Sequence, residues 1–205
     1  MEIVCLDLES VLVPEMWIDL AERTGLAGLR ITTRDIPDYN EVMRQRLAIL
    51  DQNGLDIDDV QAVIAGMEPL PGAVDFLDRL RERYQVVILS DTFYELAQPL
   101  IRQLHNPTLF CHRLDIEASG RIGGYRLRLP NHKKAAVDAF RTLNFRTLAA
   151  GDSYNDTGML QAADFGALFC PPDNVIRDFP HLPVVRDYAT LFEQFQRKSA
   201  EFAAG

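Results

Sequence analysis

Short apolar runs at residues 3–8, 85–89, 147–150 and 165–169 alternate along the chain with longer stretches of helical periodicity. Apolar runs this short, bounded by polar residues, predict buried strands. The periodic stretches predict amphipathic helices. Pro71 stands at an expected first helical position, and Ala73, Val74, Phe76, Leu77 and Leu80 line one face behind it. Leu96, Leu100, Ile101 and Leu104 form a second such face. Val137, Phe140 and Leu143 form a third, in a helix expected to start after Asn131 as its N-cap. This alternation predicts an α/β fold, a doubly wound (Rossmann-like) parallel sheet between helices.

Two segments break the pattern. Residues 14–70 hold no strand signal but several helical ones. Pro14 marks one helix start and Gly25 its end, residues 39–50 are periodic, and Ile57, Val60, Val63 and Ile64 are periodic again. The expected organisation is an α/β core of residues 1–13 and 71–205 with a helical cap, 14–70, inserted after the first strand. Residues 109–129 alternate around Ser119-Gly120 and predict a small β-hairpin flap or extension. Ligands on open α/β sheets bind at the carboxyl ends of the strands, where the insert leaves the chain, so the cap is expected to roof the site.

Composition narrows the partners. The 205 residues are 47% hydrophobic and 25% charged, with a net charge of −9. An acidic chain without a basic block is a poor ligand for nucleic acid or an anionic membrane, so small molecules are the expected partners. Bound phosphate would need local neutralisation. The cysteines, Cys5, Cys111 and Cys170, are odd in number and widely spaced, which suits free thiols in a reducing cytoplasm. The N-terminus carries neither a basic region nor a long apolar one, and no apolar run reaches membrane-spanning length. The oligomeric state, a homo-oligomer included, is left open.

Four polar elements fall at expected strand ends or helix starts. Asp7 and Glu9 follow the first strand, where i, i+2 spacing aims two carboxylates one way. Ser90, with Asp91 and Thr92 behind it, follows the second; its hydroxyl and the next backbone N–H groups can meet a phosphate, or cap a helix. Lys133 and Lys134 sit just inside a helix start, where a cation opposes the macrodipole and wants an anion; the sequence does not say which of the two faces the site. Gly151-Asp152-Ser153-Tyr154-Asn155-Asp156 places Asp152 at a strand end and Asp156 at a helix start, hard oxygens that suit Mg²⁺.

In this order the elements resemble the haloacid dehalogenase-like phosphohydrolases, whose pattern is Asp-x-Asp, Ser/Thr, Lys and Gly-Asp-x-x-x-Asp. The resemblance spans the chain and is similar in detail to the phosphoserine phosphatase branch. Glu15 matches a cap glutamate of that branch, residues 39–50 its cap helix, and Asn131-His132-Lys133 its lysine segment. It implies Asp7 as nucleophile forming an aspartyl-phosphate and Glu9 as general acid and base. It implies Ser90, Asp91, Thr92 and Lys133 at the phosphate, and Glu15, Tyr39, Met43, Arg46 and Asn155 at the substrate. Mg²⁺ is implied on Asp7, the Glu9 backbone carbonyl and Asp152, with Asp156 outer or water-mediated. The residues support Arg46 separately, because it shares a helical face with Tyr39, Val42, Met43, Leu47 and Leu50 and so needs an anion: a substrate carboxylate, or an internal partner such as Glu41.

Two positions depart from the branch. Glu9 stands for the usual second Asp, and Ser90-Asp91-Thr92 for the usual Ser-Gly-Gly. Both departures resemble the bifunctional phosphoserine phosphatase/phosphoserine:homoserine phosphotransferases, which implies homoserine as an alternative acceptor to water and a place in serine and threonine biosynthesis. Two rivals remain: a phosphatase of this fold for another small phosphometabolite, and a phospho-accepting receiver module.

Overall fold

The computed structural model describes residues 1–32, 35–36 and 38–204. Strand β1 (Glu2–Leu6) leads into α1 (Met16–Thr24), α2 (Tyr39–Gln52) and α3 (Ile57–Ala65). The chain then returns through α4 (Ala73–Arg81) to β2 (Gln85–Phe93), followed by α5 (Tyr94–Gln103), β3 (Thr108–Ile116) and β4 (Ile122–Arg126). The remainder is α6 (His132–Thr142), β5 (Arg146–Gly151), α7 (Thr157–Ala162), β6 (Phe165–Phe169), α8 (Asp173–Asp178), β7 (Val184–Val185) and α9 (Tyr188–Ala204).

The strands form one seven-stranded sheet in the order β4-β3-β2-β1-β5-β6-β7, parallel except for the β3–β4 pair. This is the doubly wound α/β fold expected from the alternation. Side chains along β1 alternate between two cores: Val4 and Leu6 pack with Ile88, Leu148 and Ala150 on one face, Ile3 and Cys5 with Val87, Leu89 and Val137 on the other. A strand buried on both faces cannot carry a polar alternation, which is why each run is apolar throughout. The order reverses at β1, so the carboxyl ends of β1 and β5 open at a topological switch point, the place where such sheets take ligands.

Several local expectations are corrected. Pro71 is not the first residue of α4, because Gly72 at φ 83° turns the chain first and is the N-cap. Asn131 holds the N-cap position of α6 but at φ 50°, and its side chain makes no capping bond; capping needs an extended backbone at that residue. Leu143 is 67% exposed, because it lies past the last turn of α6. β2 continues four residues beyond Leu89, its register with β3 shifting between Leu89 and Phe93, so Ser90 is a strand residue and no helix cap. The expected 109–129 hairpin is present as β3 and β4, and it is the extension rather than a flap, since β3 pairs with β2 and continues the main sheet.

Among the described residues, α1, α2, α3 and a short 3-10 helix, Ala27–Arg30, lie between β1 and α4, with α1 starting at Met16, two residues past Pro14. Gly25 ends α1 in the left-handed region, and Asp56 opens α3 in a reciprocal capping arrangement with Asp59. The hairpin holds these helices: the Ile57 N–H donates to the Gly120 carbonyl at 3.0 Å, Arg121 pairs with Asp51 at 2.6 Å, and the Tyr125 hydroxyl donates to Asn40 at 2.6 Å. The expected cap span includes residues 33, 34 and 37, which lie outside the described residues. Among the described residues no helix is long and apolar enough to cross a membrane.

Candidate active site

The sheet's switch point gathers the acids. The Asp7 backbone N–H still bonds the Ala150 carbonyl at 3.0 Å, which fixes its Cα beside the end of β5. Its carboxylate is buried; Oδ1 accepts the Leu8 N–H at 2.7 Å and meets Lys133 Nζ at 2.8 Å. Burial, then Asp156, pushes the Asp7 carboxyl well above the ordinary range, with Lys133 opposing.

β1 ends at Leu6, so strand alternation is not what relates Asp7 to Glu9. A tight turn with Ser10 at φ 60° follows, and Glu9 bridges to Val13. The Glu9 carboxylate accepts the Met16 N–H at 2.7 Å, satisfying a first-turn amide of α1. Burial and then Glu15 push Glu9 up to about 7, while the Met16 N–H, Arg46 and Lys133 pull the other way. A carboxyl poised there can hold or release a proton near neutrality.

Asp152 and Asp156 sit on the loop after β5. Asp156 is fully buried, and its Oδ2 accepts N–H groups from Asp152 at 3.0 Å and Ser153 at 3.1 Å. The carboxylate lies so close over Gly151 that a Cβ there would stand 2.4 Å from the Asp156 Cγ. Burial, then Asp156 and Glu15, push Asp152 up to about 7. Asp7, Asp152 and Asp156 each offer an oxygen, and these lie within 4.8 Å of one another. Three crowded carboxylates, of which burial and mutual repulsion raise the proton affinity of Asp7 and Asp152, fit a hard divalent cation, which would relieve their repulsion.

The choice between the two lysines is made by burial. Lys133 is 3% exposed and its Nζ lies 2.8 Å from Asp7, 2.8 Å from Asp156 and 3.5 Å from Asp91. Burial would lower its proton affinity, but these carboxylates outweigh it and raise it well above the ordinary value. Lys134 is exposed and paired with Asp138.

On β2, Ser90 is buried and its Oγ accepts the Thr92 N–H at 3.3 Å; the Thr92 Oγ1 is buried without a partner. Asp91 meets His132, His112, Asn155 and Lys133 through its carboxylate. From α2, the Tyr39 hydroxyl reaches the Asp91 carbonyl at 3.3 Å, and Met43 is fully buried. Burial, with Asp91 next, pushes the Tyr39 phenol above its ordinary value.

Arg46 is 7% exposed. Its Nη2 donates to the Ile31 carbonyl at 2.6 Å and its guanidinium lies 4.7 Å over the Trp17 ring, but Nε is buried with no hydrogen-bond partner among the described residues. Glu41 pairs with Arg44 instead, and the acids that act on Arg46 across the site are Glu9 and Glu15. Glu15 is exposed at the N-cap of α1 and accepts from the Ser10 hydroxyl at 3.2 Å. A cavity of about 410 Å³ reaches Asp91, Lys133 and Asn155 from the α6–α7 side.

Sequence reasoning missed His112 and Trp17, and gave His132 no task of its own. His112 alternates inside β3 like any half-buried strand residue, and Trp17 reads as one more core position of α1. Neither carries a local signal; only their neighbours in space give them a role.

Residues 1–164 match the family profile of the haloacid dehalogenase-like hydrolases. Over 200 residues, 98% of each chain, the sequence is 58% identical to phosphoserine phosphatase ThrH of Pseudomonas aeruginosa. It is 59% identical over 198 residues to a phosphoserine phosphatase of Pseudomonas syringae pv. tomato, 97% of this chain and 84% of that one. A solved phosphoserine phosphatase described as a phospho-aspartyl intermediate analogue superposes with a TM-score of 0.76 at 20% identity, covering 94% of this chain and 98% of its own. That likeness speaks for the fold.

Proposed function

The chain belongs to the haloacid dehalogenase-like hydrolases, and on that premise we propose that it is a phosphoserine phosphatase that can also pass the phosphoryl group to homoserine. The observation that carries the substrate is Arg46: a buried guanidinium with an unpartnered Nε, on the helix whose Tyr39 reaches the Asp91 carbonyl. A substrate α-carboxylate supplies the missing acceptor. Glu15 at the mouth suits the substrate ammonium, and Tyr39 and Met43 wall the side chain. Family membership sets aside the receiver reading, and an amino-acid zwitterion fits Arg46 with Glu15 better than a sugar phosphate does.

In the first displacement an Asp7 carboxylate oxygen attacks phosphorus in line, and the bond from phosphorus to the serine oxygen breaks. Glu9 gives its proton to that oxygen. In the second, Glu9 takes a proton from water or from the homoserine hydroxyl as that oxygen attacks phosphorus and the Asp7 carboxylate leaves. Lys133, the Ser90 hydroxyl and the groups around Thr92 face the equatorial oxygens, where charge collects. Asn155 orders the loop carrying Asp152 and Asp156. Mg²⁺ held by Asp7, the Glu9 carbonyl and Asp152, with Asp156 outside them, would supply the remaining countercharge. Residues 14–70 act as a cap whose closure excludes bulk water. Free Cys5, Cys111 and Cys170 suit a cytoplasmic place in serine and threonine biosynthesis.

The test is product analysis with phosphoserine and Mg²⁺, with and without homoserine. Free phosphate and serine are expected in both, and phosphohomoserine only when homoserine is present. Absence of phosphohomoserine leaves a plain phosphatase. Full turnover by Asp7→Asn overturns the aspartyl-phosphate route.

A further inference from the structure

The Asp91 carboxylate engages four side chains, and the mechanism above gives it no task of its own. Its Oδ1 lies 3.1 Å from His132 Nε2 and 3.5 Å from His112 Nε2. Its Oδ2 accepts from Asn155 Nδ2 at 2.7 Å and faces Lys133 Nζ at 3.5 Å. With the Tyr39 hydroxyl on its carbonyl, Asp91 ties together α2, β3, α6 and the loop after β5.

Two histidines and a carboxylate within 4.8 Å have the donors of a metal site, but the protons stand the wrong way round. The Arg128 backbone N–H donates to His112 Nδ1 at 3.1 Å. That nitrogen is therefore the acceptor, and the proton of the neutral ring lies on Nε2, facing Asp91. A ligating histidine is arranged in reverse, donating through the nitrogen that does not bind metal. His132 likewise turns Nε2 to Asp91 and leaves Nδ1 buried without a partner, a cost tolerated to keep the contact to Asp91. Burial alone would push the Asp91 carboxyl up, but Lys133, His112, His132 and Asn155 outweigh it and hold it well below the ordinary range.

We propose that Asp91, gripped by His112 and His132, is a positioning residue: a fixed anion in strand β2 that keeps the Lys133 ammonium seated while Asp7 carries the phosphoryl group. The proposal rests on the aspartyl-phosphate reading above. Once phosphorylated, Asp7 no longer offers Lys133 a full carboxylate, and one of its two 2.8 Å contacts weakens. Asp91 lies 3.5 Å from Lys133 and, held by His112, His132 and Asn155, stays in place. An ionised carboxylate repels a phosphate dianion, so its influence on phosphate passes through Lys133 and Asn155, which revises the direct phosphate contact expected from sequence.

Phosphoserine turnover of His132→Phe, His132→Gln, Asp91→Asn and the Asp91→Asn/His132→Phe double variant tests this. Asp91→Asn and His132→Phe are each expected to lower kcat about 10-fold with KM changed less than about 2-fold, since the lost group acts on the transition state through Lys133. The double variant is expected to be no slower than Asp91→Asn, and His132→Gln, which can present an N–H at the same place, to recover to within about 3-fold of wild type. Multiplying losses in the double variant overturn the proposal. If His132→Phe does not fold, the same comparison is made with His112→Phe and His112→Gln. Independently of turnover, ¹⁵N NMR of the imidazole rings is expected to show His112 as the neutral Nε2–H tautomer; an Nδ1–H tautomer overturns the proposal. An enzyme inactive on phosphoserine would sink the functional reading while the tautomer measurement still decides the grip on Asp91.

Discussion

Arg46→Met separates a substrate-binding arginine from a structural one. Methionine keeps most of the stem volume and removes the guanidinium. For the fold, the substitution loses the bond to the Ile31 carbonyl at 2.6 Å, about 1.5–3 kcal/mol for a charged donor. It also loses the stacking over Trp17, about 0.5–2 kcal/mol. Against this it removes a buried Nε without a partner, about 1–3 kcal/mol, and the desolvation of a buried charge. The central values sum to within about 2 kcal/mol of zero, so Tm should move by no more than about 8 °C. For binding, an enzyme that pairs this guanidinium with a carboxylate should lose about 3 kcal/mol, a rise in KM of about 150-fold. The assay is steady-state phosphate release from phosphoserine and from phosphoethanolamine, which has the ammonium but no carboxylate. Preference for phosphoserine should collapse, while phosphoethanolamine turnover changes by less than about 3-fold. Arg46 is also one of the groups holding Glu9 down, so the alkaline limb of the pH profile should move upward in the variant. An unchanged KM together with a loss of more than about 4 kcal/mol of stability would refute the reasoning and make Arg46 a core residue.

Lys133→Met should lower kcat by at least about 100-fold, as removal of a transition-state donor does, whereas Lys134→Met should stay within about 2-fold of wild type; equal losses would contradict the burial argument. Gly151→Ala should abolish Mg²⁺-dependent turnover, because the new Cβ would stand 2.4 Å from the Asp156 Cγ and push that carboxylate away; full activity would show that the loop can give. Glu9 and Asp152 are each pushed up to about 7, so the folded chain binds their protons more tightly than the unfolded chain. Their stabilising contribution is then full below about pH 4 and lost as pH rises through about 7. Melting curves in EDTA should therefore fall from pH 5 to pH 8 and be restored by Mg²⁺; a Tm that rises over that range contradicts the crowding of carboxylates.

The α/β class was legible because a strand buried on both faces must be apolar along its length, and the helices must show one apolar stripe. Residues 165–169 coincide with β6 for that reason. The short β7 and the small helix α8 escaped notice, since two to six residues cannot display a period, whereas the start of α7 was expected at Asp156. β3 was legible as half a hairpin but not as a sheet strand, because its pairing with β2 leaves no mark in its own alternation. The extension of β2 through Ser90, Asp91 and Thr92 was hidden for a similar reason: polar residues after an apolar run look like a cap, and only the partner strand shows that pairing continues past a shift of register.

The candidate site divides along the same line. Asp7, Ser90, Asp152 and Asp156 each stand at or just after an apolar run, and sequence alone assigned these acids and this hydroxyl to the carboxyl ends of strands or the helix starts that follow them. Which lysine faces them, what Arg46 lacks, and which groups hold the Asp91 carboxylate were decided only by the tertiary structure. Those facts depend on contacts between residues far apart in the chain, Asp91 to His132 at a separation of 41 and to Asn155 at 64. A local pattern records how a segment is buried; it does not record which distant donor satisfies a buried charge, and that pairing sets the chemistry here.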